Sequence, residues 1–148
     1  MILKRTNSDN SDFISLVAQL DQFLAKVDGE THEFYHQFNG IDVLEFVIVA
    51  YADGIPVACG ALKSFDNERM EVKRMFTKPD FRGQGFAQCV LTGLEEWASE
   101  EGDCACVLET GVNQQEAIRL YEKMGYKRTE NYGQYVGVED SFCFEKQL

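Results

Sequence analysis

Apolar positions along this chain alternate between two periods, and each change of period marks an element. Ile2–Thr6 opens as a short strand. Asn7-Ser8-Asp9-Asn10-Ser11 is rich in capping side chains and precedes Phe13, Leu16, Val17, Leu20, Phe23, Leu24 and Val27. Their three- and four-residue spacing predicts one apolar helix face, with Gly29 ending the helix. Glu30–Gly40 carries Phe34, Tyr35 and Phe38 and predicts a second short helix. Its aromatics, beside His32 and His36, either pack on a sheet or line a pocket.

The period then drops to that of strands. Val43–Tyr51 is β-branched and apolar, Ala52-Asp53-Gly54 is a hairpin signal, and Ile55–Leu62 returns, with Gly60 marking a bulge or a close approach. Asp66-Asn67-Glu68 turns the chain again into Arg69–Thr77, completing an antiparallel meander. Pro79 then breaks the ladder, because it has no N–H to donate. Gly83 and Gly85 follow, and Phe86, Ala87, Val90, Leu91, Leu94, Trp97 and Ala98 predict a helix ending near Gly102. Cys104–Leu108 reads as a buried strand leading to Glu109-Thr110-Gly111. Ala117, Ile118, Leu120, Tyr121 and Met124 read as a helix stopped by Gly125. Tyr126–Glu130 and Ser141–Lys146, joined through Gly133 and Gly137, form a last strand pair. The order β-α-α-β-β-β-α-β-α-β-β predicts one α/β domain over residues 1–148, with a mixed, mostly antiparallel central sheet flanked by helices.

Charge changes this picture more than composition does. Twenty-five acidic residues against 14 basic ones leave a formal net charge of −11, which disfavours a general nucleic-acid-binding surface and favours a cationic substrate. Four basic residues (Lys73, Arg74, Lys78 and Arg82) nevertheless gather just before the glycines, where an anion-binding turn would use them. No apolar run approaches the roughly 20 residues of a membrane helix, and Met1-Ile2-Leu3-Lys4-Arg5 lacks the order of a signal peptide. The cysteines (Cys59, Cys89, Cys104, Cys106 and Cys143) are odd in number and form no CxxC pair, and the chain has only two histidines. Reduced thiols, a cytoplasmic protein and no metal are therefore expected, with Cys104 and Cys106 read as buried structural thiols.

A strand feeding a glycine turn that opens a helix is built to hold phosphate, since turn amides and the helix N-terminus converge on one point. A nucleotide-hydrolysing loop would need Lys and a hydroxyl residue after its last glycine, and neither follows Gly85. A dinucleotide fingerprint would need a third glycine where Gln88 stands, after a single parallel strand. What fits is Arg82-x-x-Gly85-x-Ala87.

With Arg82–Ala87, the Glu71–Met75 strand, Pro79 and the later block Ala-Ile-x-Leu-Tyr-Glu-Lys-x-Gly-Tyr at Ala117–Tyr126, the sequence resembles the GCN5-related N-acetyltransferases, the GNAT superfamily. The resemblance spans nearly the whole chain. It implies acetyl-CoA as acetyl donor, with the amides of Gly83, Gln84, Gly85, Phe86 and Ala87 on the pyrophosphate and Arg82 opening the turn. Main-chain groups of Met75, Phe76 and Thr77 would pair with the pantetheine arm and polarise the acetyl carbonyl. Tyr121 would protonate the departing thiolate, unless it is one more residue of its helix's apolar stripe. Family members often carry Asn seven residues before that tyrosine; here Gln114 holds the position and Asn113 precedes it, so either amide could contact the cofactor.

A base must remove a proton from the attacking ammonium. Glu71 is the candidate, against the alternative of a solvated carboxylate at a strand edge. Glu109 is the runner-up, unless it serves to hold its loop. The acceptor would be a small, cationic primary amine such as an amino acid, polyamine or aminoglycoside, with a peptide or protein amine as the alternative. It would be walled by Gly29–Gly40 and the Tyr132–Val138 loop, with Tyr132 and Tyr135 either touching it or only packing. The resemblance also raises a homodimer, and a non-catalytic acetyl-CoA-binding sensor is the competing class.

Overall fold

Seven strands make one sheet in the order β1-β2-β3-β4-β5-β7-β6, and every neighbouring pair is antiparallel except β4 and β5. The structure is a computed structural model that describes residues 1–28 and 43–148. The strands are β1 (Ile2–Thr6), β2 (Phe46–Ala52), β3 (Ile55–Ser64), β4 (Arg69–Thr77), β5 (Ala105–Gly111), β6 (Lys127–Thr129) and β7 (Ser141–Gln147). The helices are α1 (Ser11–Asp28), α2 (Phe86–Glu100) and α3 (Gln115–Lys123). The expected second short helix, with His32, His36 and their aromatics, lies outside the described residues, as does Gly29.

Local chemistry explains most boundaries. The Asn10 side chain accepts the Phe13 N–H at 3.0 Å and caps α1, as the run of capping residues foretold. Asp53 (φ 50°) and Gly54 (φ 80°) both take positive φ, which a two-residue hairpin between twisted strands requires. In the next turn the Asp66 carboxylate accepts the N–H groups of Glu68 and Arg69 at 2.9 and 2.8 Å. Two boundaries differ from the sequence reading by three residues. β2 starts at Phe46, leaving Val43 90% exposed, and β5 runs on to Gly111, so Glu109 and Thr110 are strand residues held by β7.

The core has two layers. On one face Phe13, Leu16 and Leu20 of α1 pack against Val47, Val49, Cys59, Ala61 and Phe76. On the other face α2 (Val90, Leu91, Leu94) and α3 (Tyr121) cover Ile48, Leu62, Val72, Leu108 and Phe144. Cys59 and Cys106 are fully buried, and burial pushes both thiols up to about 12. Cys104, by contrast, is exposed. Among the described residues no helix is long and apolar enough to cross a membrane.

Candidate active site

The centre of the sheet is split. β4 and β5 pair only from Arg69–Ala105 to Glu71–Val107. Beyond that point β4 stays with β3 while β5 stays with β7, so the facing edges of residues 72–77 and 108–111 part and a cleft opens between them. Its walls include Glu71 and Met75 of β4, Glu109 and Thr110 of β5, Gln114 at the start of α3 and Tyr121 within it. Leu20 and Leu24 of α1 close it on the other side of the sheet.

A bulge shapes the β4 wall. Cys59 pairs with Phe76 but Ala61 pairs with Lys73, so Arg74 and Met75 together stand opposite Gly60. Such a bulge bends and over-twists its strand, which helps carry β4 away from β5. Arg74 takes φ 61°, a conformation that costs a non-glycine residue about 1–2 kcal/mol. Its carbonyl accepts the Cys59 thiol at 3.4 Å. A Cβ at residue 60 would lie 2.5 Å from the Met75 sulfur and 2.9 Å from both Val90 and Leu94, so the close approach expected at Gly60 is real. The extra residue also places Arg74 on the α1 side, where its guanidinium donates to Asp21 at 3.2 Å. Lys73, on the same side, puts its ammonium 3.9 Å from Glu71. These two cations therefore face α1 rather than the glycine turn, contrary to the sequence reading.

At the turn itself Gly83 (φ 77°) and Gly85 (φ 87°) are both left-handed, and nothing lies within 4 Å of where a Cβ would project from either. Gly85 is the N-cap of α2 and supplies no side-chain acceptor. The first helical bond runs from Cys89 N–H to Gly85 O at 3.1 Å, so the amides of Phe86, Ala87 and Gln88 have no partner within their helix. An exposed corner of donors without helical partners suits a pyrophosphate. Arg82 braces this corner. Its Nε donates to the Thr77 carbonyl at 3.0 Å, and its guanidinium stacks over Phe23 (4.9 Å) and Phe76 (5.8 Å). Gln84 donates to the Asp80 carbonyl at 3.4 Å, and Phe86 is buried against Phe81 with ring centres 6.1 Å apart.

Tyr121 projects from α3 into the core beside the cleft, its ring edge-on to Tyr126 at 5.9 Å and tilted to Phe144 at 6.4 Å. Its hydroxyl has no hydrogen-bond partner among the described residues. Burial first, and the Glu109 charge second, raise its pKa above that of an ordinary phenol. Tyr126 is fixed in turn by donating to the buried Glu95 carboxylate at 2.8 Å, which also accepts Lys146 at 3.0 Å. Of the two candidate amides, Gln114 borders the cleft and Asn113 is exposed.

Glu71 lies in an interior strand and is only 8% exposed, so it is not a solvated edge carboxylate. Its Oε2 accepts the Tyr132 hydroxyl at 2.7 Å. Glu109 accepts the Ser141 hydroxyl at 2.7 Å. Tyr132 packs edge-on against Phe65 and Tyr135, and the Asn131 side chain pins its loop by donating to the carbonyls of Tyr135, Val138 and Ser141. Thr110 Oγ1 is buried without a partner among the described residues. Lys73, Arg74, Thr110 and the two leucines of α1 escaped the sequence reading as cleft residues. Only their basic character was legible for the first two, because a left-handed Arg74 leaves no mark in composition or period.

Comparison with known proteins agrees with this fold. Residues 14–126 match the model of the Acetyltransferase (GNAT) family. A protein of Azospirillum brasilense named IAA acetyltransferase is 39% identical over 103 residues, covering 68% of this chain and 67% of its own length. The chain spans a smaller share of other curated relatives, such as 37% of a mouse N-acetyltransferase family 8 member. The crystal structure of an acyl-CoA N-acyltransferase from Klebsiella pneumoniae superposes with a TM-score of 0.83 at 26% identity, covering 99% of this chain and 97% of that one. A GNAT family acetyltransferase from Elizabethkingia anophelis with acetyl-CoA bound shares the fold, with a TM-score of 0.69 at 16% identity over 99% of this chain and 97% of that one.

Proposed function

This chain belongs to the GNAT family and is an acetyltransferase, and we propose that it transfers the acetyl group of acetyl-CoA directly to the primary amine of a small molecule. The observation that carries the reading is the cleft where β4 leaves β5, which has Glu71 on one wall and Tyr121 on the other. Acetyl-CoA supplies a thioester that needs only a neutral amine and a protonated leaving group.

Each side chain then has one task. The unpartnered amides from Gly83 to Ala87 hold the pyrophosphate, and Arg82 keeps their turn in shape rather than reaching for the ligand. The β4 edge at Met75–Thr77, left without a β5 partner, pairs with the pantetheine arm and offers an N–H to the acetyl carbonyl. Such a donor is typically worth about 3 kcal/mol in the transition state. Gln114 is the nearer of the two amides for a cofactor contact.

Glu71, aligned by Tyr132, takes the proton of the attacking ammonium directly or through a water, with Glu109 across the cleft as the second carboxylate. The new C–N bond forms as the C–S bond breaks, and Tyr121 gives its proton to the thiolate sulfur. A phenol, with an ordinary pKa of about 10, already holds that proton at neutral pH. An acceptor whose reacting nitrogen arrives as an ammonium is favoured by the net charge of −11 and by the Glu71 and Glu109 carboxylates in the cleft.

Release of free thiol from acetyl-CoA across a panel of amines tests the reading. Tyr121→Phe should lower turnover by about a hundredfold while leaving CoA affinity within a few-fold. Unchanged turnover in this variant removes Tyr121 from the mechanism.

A further inference from the structure

We propose that the acceptor is an amino acid, bound by its carboxylate to Lys73 and Arg74 while its amine meets Glu71. This rests on the acetyltransfer reading and deepens it. In a chain of net charge −11, two adjacent cations are turned into one side of the cleft, with side chains only 6% and 7% exposed. Normal alternation would send residues 73 and 74 to opposite faces of β4. The bulge opposite Gly60 and the left-handed backbone of Arg74 bring them to the same face. Backbone strain of this kind persists where surrounding structure enforces it, and it gathers at ligand sites.

Both cations keep acidic neighbours, Glu71 for Lys73 and Asp21 for Arg74. The buried region therefore alternates in sign, from Glu71 to Lys73 to the Arg74–Asp21 pair. An acceptor nitrogen directed at Glu71 leaves the remainder of the molecule beside Lys73 and Arg74. A second ammonium, as in a polyamine or aminoglycoside, would meet like charge in a poorly solvated cleft and be rejected. A carboxylate would be matched there by a forked guanidinium and an ammonium. Leu20 and Leu24 supply an apolar wall for the amino acid's side chain.

The test compares the protein amino acids, with β-alanine and γ-aminobutyrate, against their carboxamides and against spermidine in thiol release. At least one acid should exceed its own amide in kcat/KM by about tenfold or more, and spermidine should be poor. Lys73→Met and Arg74→Asn, the latter chosen because Asn tolerates positive φ, should each shrink that acid-to-amide ratio about tenfold. Equal use of acids and amides by the wild type, or a ratio unmoved in both folded variants, overturns the proposal. Calorimetry of the same pairs on CoA-saturated Tyr121→Phe separates the two readings. Acid-selective binding without turnover in the wild type would defeat acetyltransfer and keep the anion subsite. Turnover with no acid preference in either assay would do the reverse.

Discussion

A carboxylate can serve as a base only if it is ionised and held still, and Glu71 is held by Tyr132 at 2.7 Å with the Lys73 ammonium 3.9 Å away. Glu71→Gln keeps the shape and the contact but removes the proton acceptor. Its kcat/KM should fall by about a hundredfold or more near neutral pH, the range for loss of a positioned base. The sign of the pH response is diagnostic. Without the base, only amine already neutral in solution can react, and that fraction grows tenfold per pH unit below the amine's own pKa. The variant's kcat/KM should therefore climb more steeply than the wild type's as pH rises. Parallel profiles from pH 6 to about 9 would transfer the role to Glu109 or to water.

At the scale of elements, the strand–turn–helix unit from β4 to α2 couples two sites. Its strand half forms one wall of the cleft, and its turn presents unpartnered amides to solvent. Because Gly85 sits at φ 87° with open space around it, a larger residue there is penalised for its backbone and not for any clash. Gly85→Glu should lower stability by about 1–2 kcal/mol. It should also abolish CoA binding in calorimetry, because its carboxylate repels the pyrophosphate. Retained affinity at native fold would remove the turn as the phosphate site. The β6–β7 loop forms a second coupled unit: Asn131 ties its ends together and Tyr132 lays its hydroxyl on Glu71.

Over the whole molecule, four tyrosines around the cleft and its α3 side (Tyr121, Tyr126, Tyr132 and Tyr135) have pKa values raised mainly by burial. Below about pH 10, the unfolded value, all four are protonated in both states and the folded state keeps its full stability. Above that pH the unfolded chain releases protons that the folded chain retains, so stability falls as pH rises towards the folded values. The urea midpoint should therefore drop as pH rises above about 10, and Tyr126→Phe should make that drop shallower. A drop of the same slope in the variant would mean that Tyr126 does not contribute.

Taken by itself, the sequence determined the fold and the family. Hydrophobic period, capping residues and turn glycines are local signals, and they placed nearly every described strand and helix. Arg82, Gly85, Ala87 and the block at Ala117–Tyr126 carried the family likeness, because an anion-binding turn needs glycine backbone at set positions. Gly60 announced a close approach without saying to what. The tertiary structure decided what lies across the cleft. Whether Glu71 is an edge carboxylate or a buried one depends on β5 lying beside β4, and which amide faces the cleft depends on how α3 begins. Lys73 and Arg74 read as part of a basic run near the glycines, whereas one extra residue in β4 turns Arg74 to join Lys73 on the α1 side. Register is a property of paired strands, so neither strand's sequence could state it alone.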